Sequence, residues 1–146
     1  MRCKIGFVLF FFLPFMSYGE TPHPRYNIYA TSLTVENPVL FAGLRRRAMR
    51  MYPEDEGRLE AVVDEINRQS DAHRRIINLY ITLQLEGTSE KIAQWYEIYL
   101  TNLDISEDLA RRALRTGVPL GALEGDFEMI YATMSAKFSS SVRRDE

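Results

Sequence analysis

The sequence predicts an all-α protein, an antiparallel bundle of four to five helices preceded by a cleaved signal peptide. Three observations carry this expectation. From Leu40 onward, apolar residues recur at spacings of three and four, the repeat of one helix face. Asn37-Pro38, Pro53, Gly87, Ser106 and Gly117 punctuate those stretches with residues that start or stop helices. The amino terminus follows a different logic. Met1-Arg2-Cys3-Lys4 is basic, Ile5 to Leu13 is apolar apart from Gly6, Pro14 breaks the run, and Ser17-Tyr18-Gly19 places small residues where a signal peptidase cuts. The apolar run is well short of the roughly 20 residues a membrane-spanning helix requires. The expectation is therefore a periplasmic or secreted protein that begins near Glu20, with no stable membrane anchor after processing.

The elements follow in order. Residues 20–34 are expected to be an extended segment, because Pro22 and Pro24 oppose helix, with Tyr26, Ile28 and Tyr29 docked on the body. The helical domain spans 35–138. Its first helix is capped by Asn37, has Pro38 in its first position, carries Leu40, Leu44, Ala48 and Met51 on one stripe, and ends at Pro53. The second opens on Glu54-Asp55-Glu56, acids favoured at the positive end of a helix, and runs to Gly87. Its seam is Leu59, Val62, Val63, Ile66, Ile76, Tyr80 and Leu83, and its second half is apolar enough to lie at the centre. The third starts at Thr88 or Ser89 and buries Ile92, Trp95, Tyr96, Tyr99, Leu100 and Leu103. The fourth is short, from Ser106 to Gly117. The fifth follows Pro119, with Leu120, Leu123, Phe127, Ile130 or Tyr131, Met134 and Phe138 inward. Gly121 and Gly125 delay its regular part to about Asp126. Residues 139–146 form a tail. The short connections imply antiparallel neighbours.

Composition narrows the functional classes. The single cysteine, Cys3, leaves with the leader, so the mature chain holds no disulfide, which fits a bacterial periplasm better than a stapled extracellular scaffold. The formal net charge is −2, and Arg2 and Lys4 also leave with the leader, so the mature chain is more acidic still. That balance opposes nucleic acid and anionic membranes as main partners. The mature cations are almost all arginine, the residue suited to bidentate carboxylate and phosphate contacts.

Catalytic and cofactor signatures are missing. There is no mature cysteine and no Gly-x-Ser-x-Gly elbow. His73 lies on the core seam, but position 70 is Ser70 where a di-iron motif needs glutamate, so His73 is expected in a polar layer with Gln69 and Ser70. His23 is fourth from the expected new terminus and follows a proline, which disqualifies it as an amino-terminal copper site. Neither a cofactor nor a metal is expected. Two clusters remain. Arg45, Arg46, Arg47 and Arg50 close the first helix, matched by Arg111, Arg112 and Arg115 on the fourth; each set suits an acidic partner, and each is equally what a solvated helix end carries. Glu107–Arg111, Asp108–Arg112 and Asp64–Arg68 are spaced to pair locally. Trp95, Tyr96 and Tyr99 form the densest aromatic patch, as suited to core packing as to an interface. The expected function is recognition of a protein partner by an exported, non-enzymatic adaptor, inhibitor or immunity-type module. Arg45, Arg46, Arg47, Arg50, Trp95, Tyr96 and Tyr99 are its candidate contacts, and a homo-oligomer is compatible with this. The alternatives are a small exported enzyme holding an anionic substrate through arginines, and a structural accessory of an envelope or secretion machine.

Overall fold

Asn27 begins the ordered helices. Its side-chain oxygen accepts from the Ala30 N–H at 2.8 Å, and its backbone and amide group are tied to Asn67 at 2.8 and 3.1 Å. The first helix, α1 (Ile28–Glu36), follows directly. It corrects the expectation of an extended segment over 20–34: Pro24 lies ahead of the cap rather than inside the helix, so it forbids nothing. What holds α1 is burial of Ala30 and Leu33, because tertiary packing decides short helices more than propensity does.

The computed structural model describes residues 23–52, 54, 56–116 and 124–139. The expected signal peptide, most of the carboxy-terminal tail, Leu120 and Leu123 lie outside these residues. Six helices and no strands are present among the described residues, one helix more than the sequence suggests because of α1. The others are α2 (Pro38–Met51), α3 (Arg58–Glu86), α4 (Ser89–Thr101), α5 (Glu107–Thr116) and α6 (Phe127–Lys137). None of them is long and apolar enough to cross a membrane.

Local chemistry explains most boundaries. Asn37, Thr88 and Asp126 each accept a hydrogen bond from the backbone N–H three residues on, at 3.1, 3.4 and 3.1 Å, satisfying a donor that the helix start leaves orphaned. The start of α3 is different. Gly57 precedes Arg58 with φ of 87°, a left-handed conformation that side chains disfavour. At the other end, a Cβ on Gly87 would lie 2.3 Å from the Leu83 carbonyl oxygen, so the chain can turn there only without a side chain.

Helix α3 is the centre of the molecule and packs against α1, α2, α4 and α6. Its Ala72, Ile76, Leu79 and Leu83 join Leu33, Leu40 and Leu44 from one side, and Trp95, Tyr99, Leu100, Phe127, Ile130 and Met134 from the other. A second, smaller cluster of Ala30, Ala48, Val62 and Ile66 lies toward the α3 amino terminus. The expected seam needs two corrections: Leu59 is 63% exposed, and Leu79, outside the seam, is buried; the apolar second half also leaves Leu85 81% exposed. In a helix this long, neighbours cover only one arc of each end. An antiparallel bridge, Leu103 to Gly125, fastens the end of α4 to the segment leading into α6.

Candidate functional site

The α2 arginines are committed to acids of the same chain. Arg46 Nε is 3.2 Å from Glu124 Oε1, and Arg50 holds both oxygens of that carboxylate. This pairing keeps the Glu124 carboxyl below the usual carboxylate range: the Arg50 hydrogen bond is the leading cause, opposed by burial and aided by Arg46. Arg47 bridges Glu65 Oε1 and Asp126 Oδ2, each at 3.5 Å. Of the cluster, Arg45 alone is exposed without an ion pair among the described residues. The expected basic face is thus largely an intramolecular clamp on residues 124–126.

Beneath the clamp lies a buried polar group. Glu65, Gln69 and His73 are spaced by four, so they stack along one stripe of α3 that faces the start of α6. Gln69 is the pivot. Its carbonyl oxygen accepts the Phe127 N–H at 2.6 Å, and its amide donates to Glu65 Oε1 at 2.9 Å and to Asp126 Oδ1 at 3.2 Å. Burial pushes the Asp126 carboxyl up, but the Met129 N–H, Gln69 and Arg47 together hold it below its ordinary value. Arg68 pairs with Glu65 and donates to the Tyr52 hydroxyl at 3.2 Å. The local pair expected between Asp64 and Arg68 does not form; Asp64 faces Arg25 at 3.6 Å instead.

His73 departs from expectation. Its imidazole is roughly perpendicular to the Phe127 ring, with centroids 5.1 Å apart, and takes no hydrogen bond from Gln69 or Ser70. Gln69 is engaged elsewhere, and the buried Ser70 hydroxyl has no partner. Burial, with a smaller contribution from Arg74, lowers the His73 pKa to about 4. The unfolded chain, with the ordinary value near 6.5, binds the proton more readily between these limits. Stability is therefore fully present above about pH 6.5 and falls as pH drops toward about 4, by about 3 kcal/mol from this residue. Urea unfolding at neutral and acidic pH should show that fall, and His73→Phe should reduce it.

The aromatic patch divides. Trp95 is 1% exposed and Tyr99 3%, so neither is a surface anchor. They stack at 4.9 Å, and the indole N–H donates to the Ile76 carbonyl at 3.2 Å. Burial raises the Tyr99 phenol to about 12. Tyr96 is half-buried and its hydroxyl lies 2.9 Å from that of Tyr80; burial and this bond raise it to about 12. A helix turns 100° per residue, so the stripe that buries 95 and 99 leaves 96 at the margin.

On α5, Glu107–Arg111 pairs as its spacing predicts. Arg111, Arg112, Arg115, Asp108 and Leu114 line a shallow cleft of about 540 Å³. No group of three or more histidine, cysteine or acidic side chains is arranged to hold a metal among the described residues. No family model, curated protein or solved structure matches the chain.

The α2 arginines stand out in the sequence, and their acids do not. Asp126 was legible as a helix start, and an acid and an amide at 65 and 69 on an apolar seam were the available signal for a buried pair. Nothing local marks Glu124.

Proposed function

We propose that the protein is an exported, non-enzymatic protein-binding module, with its helices forming an antiparallel bundle about α3 and its contact face on the outer side of α1. The observation that carries this reading is a pair of exposed aliphatic side chains on the outer side of α1. Ala30 and Leu33 are buried against the body, whereas Ile28 is 73% and Val35 82% exposed. Seven residues apart, Ile28 and Val35 share one stripe. Thr31 and Ser32 lie between them, so the stripe presents two aliphatic anchors on a polar ground, and burying such a side chain is worth about 1.5–3 kcal/mol. The internal pairing of Arg46, Arg47 and Arg50, and the burial of Trp95 and Tyr99, move the contact face away from those residues.

The test uses the full chain exported by a bacterium. Intact mass should place the new amino terminus near Glu20. Capture from envelope extract is then compared between the wild type and the Ile28→Ala/Val35→Ala double variant. The expected result is a specific partner whose affinity falls about thirtyfold or more in the variant, the effect of losing about 2 kcal/mol of anchor contact, with an unchanged urea midpoint. A partner held equally by both proteins places the face elsewhere, and Arg45→Ala is the next variant to examine. A chain retaining Met1 in the membrane fraction overturns export of a processed form.

A further inference from the structure

The start of α6 is tied to α2 and α3 by a set of polar contacts, while Phe127, Ile130 and Met134 carry the helix into the shared core. Glu124 is gripped by Arg46 and Arg50, and its carbonyl accepts the Asp104 N–H at 2.8 Å. Asp126 caps α6 and meets Arg47 and Gln69. The Phe127 N–H ends on Gln69, and the fully buried Phe127 ring ends on His73. Each titratable group here acts in the same direction. Acid places a charge on an imidazole packed against the Phe127 ring, and as pH falls further through the lowered range of the two carboxyls it removes the charge that Arg46, Arg47 and Arg50 hold on Glu124 and Asp126.

We infer that the joint between α3 and α6 is an acid-operated latch: acidification frees residues 124–131 from α3 and uncovers Phe127 and Ile130 while α1 to α4 stay packed. The surroundings of His73 favour release over local repair. On its own helix stand Glu65, Arg68, Asp71, Arg74 and Arg75. Asp71 is engaged by Arg75 at 3.1 Å, and Glu65 by Arg47, Arg68 and Gln69. From α6 come Asp126, held by Arg47 and Gln69, and Glu128, 4.0 Å from Arg68, together with Tyr131 beneath Arg75. From α2 comes Arg47, which meets Glu65 and Asp126, and from α1 Tyr29 under Arg74. None of these makes an ion pair or hydrogen bond with His73, so a protonated imidazole has no acid in place to receive it. Both helices share the apolar core, α6 through Phe127, Ile130 and Met134 and α4 through Trp95, Tyr99 and Leu100; among the described residues the acid-sensitive contacts gather at the α6 start, while the α4 contact is apolar and aromatic and is not charged in the acidic range. The latch stands independently of the α1 face.

Hydrogen exchange read by mass spectrometry on the full chain, corrected for the intrinsic rate at each pH, tests this. Between neutral pH and about pH 4, amides of 127–137 should lose protection about tenfold or more, while those of 92–101 keep theirs. In His73→Phe, which keeps a ring of similar bulk and cannot be charged, the midpoint of that opening should move to lower pH by about one unit. Uniform loss along the chain, protection of 127–137 undiminished at about pH 4, or an unchanged midpoint in the variant overturns the latch. Should the variant not fold, the wild-type pattern decides alone, since only a latch opens α6 ahead of α4.

Discussion

Replacing Trp95 with alanine is expected to cost about 4 kcal/mol of folding stability, at the upper end for a single side chain. Three losses combine. The indole is 1% exposed, so its removal leaves a large hole that α3 and α4 can close only partly. Its stacked contact with Tyr99 and its tilted contact with Tyr80, at centroid distances of 4.9 and 4.7 Å, disappear. The hydrogen bond to the Ile76 carbonyl goes too. A domain of this size has about 5–15 kcal/mol in total, so Trp95→Ala should stand near its unfolding midpoint at low urea. Circular dichroism at 222 nm during urea titration measures this directly. A loss under about 1 kcal/mol would mean that α4 does not pack as described.

Gln69→Leu is expected to cost about 3 kcal/mol although it conserves side-chain volume. The substitution leaves the buried Phe127 N–H without an acceptor and takes a donor from both Glu65 and Asp126. Buried groups stranded in this way cost about 1–3 kcal/mol each, well above the net value of the bonds themselves. Glu65 keeps Arg47 and Arg68, which limits the total. The effect should concentrate on α6, because two of the three bonds reach residues 126 and 127. Urea unfolding gives its size, and amide exchange along 127–137 gives its place. By comparison, Arg46→Ala should change stability by well under 1 kcal/mol, since its guanidinium is half-exposed and Arg50 continues to hold Glu124.

The residues that punctuate helices were readable one turn at a time. Asn37, Thr88 and Asp126 cap because an oxygen one or two bonds beyond Cβ reaches an orphan N–H three residues on, a geometry that needs no knowledge of the rest of the chain. The inward stripes of α4 and α6 were readable for the same reason: Trp95, Tyr99, Phe127, Ile130 and Met134 share faces by helical period alone. Periodicity also carried the all-α class. It did not carry α1, whose β-branched and aromatic residues have little helix preference and whose formation depends on Ala30 and Leu33 meeting α2 and α3.

The candidate site was legible only by halves. A row of arginines at a helix end looks the same whether it meets solvent, a partner or its own chain, because charge alone does not say what lies opposite. The acids opposite, Glu124 and Asp126, are 74 to 79 residues from the arginines in sequence, and folding α6 back along α3 brings them there. Distance along the chain is likewise why Gln69 read as a companion of His73 and proved to be the anchor of Phe127. Local hydrogen bonding and helical period determined which segments are helical and which sides turn inward. Burial and long-range charge pairing, which exist only once the helices are assembled, decided which arginines are spent inside the molecule and which apolar side chains are left facing out.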